Sequence, residues 1–566
     1  MYTCIEAEFP ESVTSFTPKH SVIEKETKMM FSSVLRRSSR MMMRGSQKKC
    51  RYFSSEFDHE TFVSDMLEQV KDVPTATDPF QSSEILRNLV KSNVLSYWDM
   101  KENPEKFFMA HRLLATVGLG GFGIRFTVQF NLFAGSIVGL AGPDQLGVLD
   151  DLQKSGELGC FLLTENQAGV LSGFIVETTA KWDPSTQEFV LNTPNDAAAK
   201  NWISQGYTAE HGVVIADLQV DGKSYGPHPF LMRLRDDDGN LCNGIRIDDM
   251  GDKTVANDLD NARVWFSNVK LPHGSLLNKF ADIQDDKYVQ VGDEPMRIEV
   301  IGQRLMTGRQ AIAEAALVSA RVLHMKTEEY AKTKICNGIN GETTLLKMPQ
   351  LKSVFDRSYR ELDDTIAFVA GVENRLNDCL RNEKIPDDDL VDAIAVAKIR
   401  CIDVAIQCVH RLRQEVGSYA LTGNTGFELV DMFLCCKFAE GDSRILQMKL
   451  ARDRMKKLKK DGMATAVMQS IFDEETRTAL SLGRKFAAAG KDLDKLADAM
   501  NTNWEEMYRL ADLVADRIQA KSPKAEFLEP IVERYQPYHR QYDFDWKSKL
   551  GKKRDVVVEE EKVVGK

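Results

Sequence analysis

The stretch SYALTGNTGFELVDMFLCCKFAEGDSRIL, residues 418–446, follows a long helical pattern and places an acid, Glu440, directly before Gly441. Glycine has no Cβ, so the backbone at this point can pass close to a ligand. The apolar residues before Glu440 predict a raised proton affinity, which a general base needs if it removes a weakly acidic C–H proton. The alternative interpretation is a helix N-terminal carboxylate, with Asp442 or Ser443 as the cap.

The length and composition indicate a globular protein with several cores. The 566 residues allow roughly two to four domains, and 43% hydrophobic with 28% charged residues is an ordinary balance. A net charge of −10 argues against a nucleic-acid partner, although a local basic pocket for a phosphorylated cofactor is compatible with it. Ten cysteines without CxxC spacing predict reduced thiols and no metal site.

The most apolar stretch, residues 113–142, is interrupted by glycines and contains Arg125. A buried helix pair therefore fits it better than a membrane span, and no other segment qualifies as a span. Within it, GLGGFG at 118–123 matches the dinucleotide-binding pattern only formally. That pattern requires a preceding strand, whereas the residues before 118 have a helical pattern, so we predict close helix packing there.

Residues 1–55 are predicted to be a targeting or disordered leader. From Met29 to Ser55 the chain has basic residues, serines and no acidic residue, which is typical of a mitochondrial transit peptide. The acidic segment before it suggests that translation starts at Met29 or Met30. The alternatives are a basic tail without an address and a peroxisomal location, although the chain does not end in an SKL-like tripeptide.

The remaining chain alternates between two hydrophobic periods. A helical period covers 56–155, short β-branched runs separated by turns cover 156–285, and helical periods return over 286–460. A helical extension and charged tail occupy 461–566. We therefore predict an α+β multidomain fold: an N-terminal helical domain, a central antiparallel β-barrel or sandwich, and a C-terminal helical bundle with an extension, with a ligand bound where the domains meet.

Several motifs resemble the acyl-CoA oxidase branch of the acyl-CoA dehydrogenase superfamily. They occur in the family's order, between about residues 60 and 460, and the family has the same helix–sheet–helix order. The motifs are NLFAGSIVGLAGPDQ (131–145), LGCFLLTENQAGVLSGFIVETTAKWD (158–183), TPNDAAAKNWISQG (193–206), EHGVVIADLQVDGKSYGPHPFLMRLRD (210–236) and MGDKTVANDLDNARVWFSNVKLPHGSLL (250–277).

The resemblance implies an FAD-dependent oxidation of a fatty acyl-CoA thioester to the trans-2-enoyl-CoA. Glu440 would remove the α proton, and Gly441 would lie against the substrate. In the family the developing negative charge on the thioester oxygen is stabilised by the base's own backbone N–H and by a flavin ribityl hydroxyl. The resemblance also implies a homodimer, because the family's FAD site is shared between subunits.

The resemblance also implies a set of cofactor-binding positions. Trp202 would shield the flavin or lie in the core, and Lys334 keeps the charge of the family's arginine while losing its fork of donors. We interpret two other candidates, His211 and His228, as surface or turn histidines. The implied cofactor-binding residues are Thr164, Trp202, Gly206, Lys334, Gln350, Gly423 and Gly426.

Three functions remain open at this point. The β-domain motifs favour an oxidase that passes electrons to O₂ and forms hydrogen peroxide. The basic leader favours a dehydrogenase that passes them to an electron-transfer flavoprotein. Departures from the family pattern at Asn424, Thr425 and Lys334 are compatible with a flavin-free scaffold relative.

Overall fold

The computed structural model describes residues 57–529, apart from 119, 170–175, 293–295, 297–300, 424 and 491. The basic leader and the charged tail identified from the sequence lie outside these residues. Within them the chain passes from helices to short strands and back to long helices. This order confirms the predicted α+β architecture.

The N-terminal helices are short, and an aspartate caps each of the first two. Asp78 accepts hydrogen bonds from two backbone N–H groups at the start of α2, and Pro79 occupies its first position. A π-helical turn, Val128–Ala134, joins α5 to α6. The helices are α1 (His59–Gln69), α2 (Pro79–Ser92), α3 (Asp99–Glu102), α4 (Pro104–Val117), α5 (Gly121–Thr127), α6 (Gly135–Leu140) and α7 (Val148–Ser155).

The glycine-rich segment 118–123 is a packing feature, as predicted. It follows helix α4 rather than a strand. The Asp258 carboxylate accepts the N–H groups of Gly121 (3.0 Å) and Phe122 (2.8 Å), so a protein carboxylate occupies the start of α5. A Cβ at Gly121 would lie 2.6 Å from Asp258 Oδ1, and this contact is why the position suits glycine.

The strands form a central region between the two helical ones. Six of them make one sheet and three make a smaller sheet in the order β4-β8-β7. The strands are β1 (Gly159–Leu162), β2 (Thr179–Asp183), β3 (Glu188–Asn192), β4 (Lys200–Ser204), β5 (His211–Val220), β6 (Lys223–Arg233), β7 (Ile245–Asp249), β8 (Asn261–Phe266), β9 (Val269–Pro272), β10 (Ala281–Gln284) and β11 (Lys287–Gln290).

The large sheet is mixed, which corrects the prediction of an antiparallel one. β5 pairs with β6 in antiparallel fashion along one edge. Along its other edge it pairs in parallel, first with β1 and further on with β2. Parallel pairing needs a long connection between partners, and hydrophobic alternation, which has the same period in both sheet types, could not reveal it.

The two histidines predicted to be on the surface or in turns lie within strands. His228 of β6 is buried, and its Nδ1 is 2.9 Å from the Gly226 carbonyl oxygen. His211 of β5 is half-buried, with Nε2 3.3 Å from Glu157. Burial lowers the pKa of both imidazoles. Because the two side chains lie within strands and are at least partly buried, the prediction of surface or turn histidines was wrong.

Long helices form the C-terminal bundle. No helix in the described ranges combines the length and the apolar character that crossing a bilayer requires. A hairpin of β12 (Ile335–Gly338) and β13 (Gly341–Thr344) joins the first two helices. The helices are α8 (Gln303–Thr333), α9 (Pro349–Arg381), α10 (Asp388–Glu415), α11 (Val430–Phe438), α12 (Ser443–Asp461), α13 (Met463–Gln469), α14 (Glu474–Ala488), α15 (Leu493–Thr502) and α16 (Trp504–Lys521).

A buried charge cluster joins three parts of the bundle. Arg112 of α4 contacts the carboxylates of Glu314 on α8, Glu373 on α9 and Glu529 after α16. The ring of Phe527 lies 4.1 Å from the guanidinium carbon, so the C-terminal segment covers the cluster. One cation thus faces three acids in the protein interior, and burial raises the pKa of Glu314 and Glu373.

Candidate active site

Glu440 lies on a tight turn immediately after α11. Its backbone has a φ of +57°, and Gly441 follows with a φ of +96°, so both residues are in the left-handed region. No acceptor among the described residues takes the Glu440 N–H. The cap of α12 is Asp442, whose carboxylate accepts the Arg444 N–H at 2.7 Å. Asp442 is thus the cap that the alternative interpretation named as one of two candidates, and Glu440 precedes it outside the helix.

The Glu440 carboxyl group packs against Gly308 of α8. A Cβ at position 308 would lie 2.7 Å from Glu440 Oε1 and closer still to its carboxyl carbon. Glu440 Oε2 is buried and has no hydrogen-bond partner among the described residues. Burial raises the pKa of Glu440 to about 7, against the opposing effect of the nearby cations Lys398 and Arg309. The result is a carboxyl group that can accept a proton near neutral pH.

Two cations, the buried Lys398 and the half-buried Arg309, hold the turn, and neither was identified from the sequence. Lys398 of α10 donates to the carbonyl oxygens of Lys437 (3.2 Å) and Ala439 (2.6 Å), and also to that of Gly441. Arg309 Nε donates to the Glu440 carbonyl oxygen at 2.9 Å. One signal could have identified Lys398: it lies midway between residues 394 and 402, which are apolar and face the core.

Packing gives Gly441 a further reason for lacking a side chain. A Cβ at this position would lie 3.1 Å from Arg309 Nη2. Arg309, which binds the Glu440 carbonyl, therefore fills the space beside Gly441. Its left-handed φ also favours glycine over other residues.

Thr164 and Trp202 form one exposed surface on the β region. The Asn201 N–H donates to the Thr164 carbonyl oxygen at 2.8 Å, which places the two segments side by side. Trp202 is 56% exposed and has a φ of +56°, at the point where the pairing of β4 with β8 shifts register. A strained backbone that presents a large aromatic ring to solvent is a feature of ligand-binding surfaces.

Gly206, the third predicted flavin contact of the β region, has a packing role. It is buried in the turn after β4. A Cβ there would lie 3.0 Å from Ala262 Cβ and 3.0 Å from Ile203 Cγ2. Glycine at this position is required by packing inside the protein.

The other predicted cofactor residues gather at one end of the bundle. The ends of α8 and α10 meet there, because Tyr330 stacks on Tyr419 with ring centroids 3.7 Å apart. Two groups of predicted residues flank this stack. Lys334 and Gln350 lie on either side of the β12–β13 hairpin, and Gly423 and Gly426 lie in the loop after α10.

This end of the bundle is far from Glu440. Gly308, which contacts Glu440, and Tyr330 are separated by 22 residues of the continuous helix α8. At 1.5 Å per residue the separation is about 33 Å. Glu440 and Gly441 therefore lie near the start of α8, and Lys334, Gln350, Gly423 and Gly426 lie near its end.

Sequence comparisons find acyl-CoA oxidases. No family model matches the chain. Acyl-coenzyme A oxidase 3, peroxisomal, of Arabidopsis thaliana is 34% identical over 241 residues, which are 41% of this chain and 35% of that protein. Acyl-coenzyme A oxidase 2 of Yarrowia lipolytica is 30% identical over 374 residues, covering 60% of this chain and 51% of that protein. The chain thus spans between a third and a half of the length of these relatives.

Solved structures show the same fold. Acyl-CoA oxidase-2 of Caenorhabditis elegans, bound with FAD, ascaroside-CoA and ATP, superposes with a TM-score of 0.65 at 19% identity, over 81% of this chain and 75% of that one. Butyryl-CoA dehydrogenase of Megasphaera elsdenii superposes with a TM-score of 0.53 at 19% identity, over 69% of this chain and 98% of that one. The chain therefore has the fold of the acyl-CoA oxidases and acyl-CoA dehydrogenases.

Proposed function

We propose that the chain is an FAD-dependent acyl-CoA oxidase that converts a fatty acyl-CoA into the trans-2-enoyl-CoA. One observation carries the proposal: Glu440 combines a pKa raised to about 7 with a free backbone N–H on the same turn. Removal of a proton α to a thioester needs both groups, a base for the proton and a donor for the oxygen on which negative charge develops.

The turn positions these two groups through its backbone. Because Glu440 is in the left-handed region, its N–H leaves the α11 hydrogen-bond ladder and can donate to the thioester oxygen. Its carboxyl group, seated on Gly308, would take the α proton at Oε2, the oxygen without a partner among the described residues. The Ala439 carbonyl, which shares a peptide plane with the Glu440 N–H, accepts a hydrogen bond from Lys398. Arg309 binds the carbonyl of the next peptide, that of Glu440.

The residues present are compatible with FAD. Thr164 and the exposed ring of Trp202 offer a hydroxyl group and an apolar face on one surface. Lys334 and the loop 423–426 offer a cation and backbone groups for phosphates. Bound FAD would supply the two-electron acceptor for the hydride that leaves the β carbon.

We infer a homodimer, which the family resemblance implies. The separation of about 33 Å along α8 between Gly308, beside Glu440, and Tyr330 supports it, because it places Lys334, Gln350, Gly423 and Gly426 far from the base of their own chain. In a symmetric dimer these four residues would bind the cofactor of the partner subunit, as the family resemblance implies. A monomeric protein that retains FAD would contradict this arrangement.

The electron acceptor distinguishes the oxidase from its alternative. The relatives named above are oxidases, which favours O₂ with formation of hydrogen peroxide. A dehydrogenase that uses an electron-transfer flavoprotein is the second candidate, favoured by the basic leader. The relatives' names support a peroxisomal location, whereas the mitochondrial prediction gains no support from them.

Flavin bleaching tests the proposed function directly. The full chain, loaded with FAD, would be mixed with saturated acyl-CoAs of increasing length without oxygen, and then exposed to air. We expect bleaching, followed by rapid recovery with stoichiometric peroxide. Bleaching that persists in air would indicate the dehydrogenase. Absence of bleaching at every chain length would overturn the proposed reaction, and failure to bind FAD would favour the scaffold alternative.

The rate should depend on pH through the Glu440 carboxyl group. Because its pKa is raised to about 7, the carboxylate form is lost as the pH falls below 7. We expect kcat/KM for the acyl-CoA to rise about tenfold per pH unit below this value and to level off above it. A profile that is already flat from pH 5 upward would mean that Glu440 has an ordinary pKa.

Replacement of Gly308 by alanine should displace the base. The new Cβ would occupy the space of the Glu440 carboxyl group. A shift of the base by about 1 Å can cost about 100-fold in rate, and we expect a loss of this size in kcat/KM. The matched control is Gly483→Ala on α14, where a Cβ would meet no atom within 4 Å. Equal activity of the two variants would contradict the packing role of Gly308.

A further inference from the structure

Lys398 lies inside the bundle and makes a complete set of hydrogen bonds to the backbone around Glu440. It is fully buried on α10. An ammonium group has three N–H donors, and the three acceptors are the carbonyl oxygens of Lys437, Ala439 and Gly441. A neutral amine would have only two donors, so three carbonyl acceptors favour the protonated form. Burial opposes this and lowers the pKa of Lys398 to about 7.

The three acceptors belong to two different pieces of backbone. Lys437 lies in the last turn of α11, where carbonyls have no partner within the helix, and Ala439 directly follows that helix. The Gly441 carbonyl lies beyond Glu440, on the other side of the turn. Lys398 therefore bridges the residues before and after the acid. Ser443 Oγ reinforces the first side by donating to the Lys437 carbonyl at 3.1 Å.

Charged and titratable groups from α8, from α11 and its following turn, and from the start of α12 surround Lys398. Arg309 of α8 is a second cation, and Glu440 is the acid nearest to both. Cys436 of α11 and Asp442 at the start of α12 also face it. The Lys437 ammonium does not compete, since it pairs with Asp403 at 2.6 Å. All three donors of Lys398 are used on carbonyls, so it acts on the Glu440 carboxyl group through the electric field and the backbone.

We propose that Lys398 is a positioning residue that holds Glu440 in its left-handed conformation, with the amide N–H turned away from the α11 ladder, and that places a positive charge beside its carboxyl group. The proposal rests on the proposed function of Glu440 as the base. The Lys398 side chain, which is distant from Glu440 in the sequence, thus fixes the shape of the turn.

Two variants separate the two parts of this role. Lys398→Met removes the charge and the donors with little change in length. Lys398→Arg keeps the charge, but its planar fork cannot direct three N–H groups at three convergent carbonyls. The matched control is Lys449→Met, which removes a lysine paired with Asp392 and Asp453 in the same bundle.

The measurement is the titration of the Glu440 carboxyl group by infrared difference spectroscopy. The full flavin-loaded chain would carry ¹³C-labelled glutamate, and the band would be assigned by its loss in Glu440→Gln. For Lys398→Met we expect the midpoint to rise by about one pH unit, which reduces the ionised fraction at pH 7 from about a half to about a tenth. For Lys398→Arg we expect the original midpoint but a lower kcat/KM at every pH.

An unchanged midpoint in Lys398→Met, with wild-type kcat/KM, would overturn the proposal. If Lys398→Met does not fold, Lys398→Arg decides alone, since wild-type kcat/KM in that variant would show that the three-carbonyl geometry is dispensable. The titration needs no turnover. A shifted midpoint in a protein that oxidises no acyl-CoA would therefore support the role of Lys398 while rejecting the proposed function.

Discussion

Replacing Glu440 with glutamine is expected to lower the rate of flavin reduction by acyl-CoA by about four orders of magnitude. The amide is nearly isosteric with the carboxyl group and still fits against Gly308, but it cannot accept the α proton. Stopped-flow bleaching of the flavin without oxygen measures this step directly. The backbone N–H of residue 440 remains in place, so the acyl-CoA should still bind.

The same substitution should leave the fold intact. Burial raises the pKa of Glu440 to about 7, above the ordinary value of 4.5. A raised acid contributes stability below pH 4.5 that is lost as the pH rises toward 7. Glu440→Gln should therefore be at least as stable as the wild type at pH 8. The control is Glu505→Gln, an exposed residue at the start of α16. Bleaching at the wild-type rate in Glu440→Gln would show that another group is the base.

Replacing Arg112 with methionine is expected to lower the free energy of unfolding by about 3–5 kcal/mol at pH 8. The methionine fills the volume but leaves Glu314, Glu373 and Glu529 facing one another without their cation. Breaking a buried ion pair from one side strands the remaining charges in a medium that solvates them poorly. Urea unfolding, followed by tryptophan fluorescence, measures the loss.

The pH dependence of this loss identifies its cause. Burial raises the pKa of Glu314 and Glu373, so these groups are protonated more readily in the folded protein than in the unfolded one. Their favourable contribution is present at acidic pH and is lost as the pH rises above 4.5. The deficit of Arg112→Met should therefore be smaller at pH 5 than at pH 8. The companion variant Glu373→Gln removes one surplus charge and should not destabilise the protein at pH 8. Equal deficits at both pH values would point to lost packing instead of lost charge compensation.

Periodicity was sufficient to determine the order of the structural regions. The change from a helical period to short β-branched runs near residue 159, and back again before 303, marks features that each segment carries locally. The Glu440–Gly441 pair was also visible locally, because an acid next to a glycine in an apolar stretch indicates a bend. Its role as the base stays a prediction.

The tertiary structure alone decided how these pieces act together. Parallel pairing of β5 with β1 and β2 joins segments distant in sequence, and alternation along one strand does not distinguish its partners. The packing of Gly206 against Ala262 likewise joins two segments that lie apart in the sequence. In both cases the deciding contact is with a residue that the local pattern does not contain.

The chemistry of Glu440 shows the same division. The sequence by itself determined that an acid lies on a flexible bend after an apolar helix. Only the fold brings Lys398 and Arg309, from two other helices, against the carbonyls around it and closes the site with Gly308. The physical reason is that a pKa and a backbone conformation depend on burial and on charges a few ångströms away in space, and those neighbours are set by packing between helices.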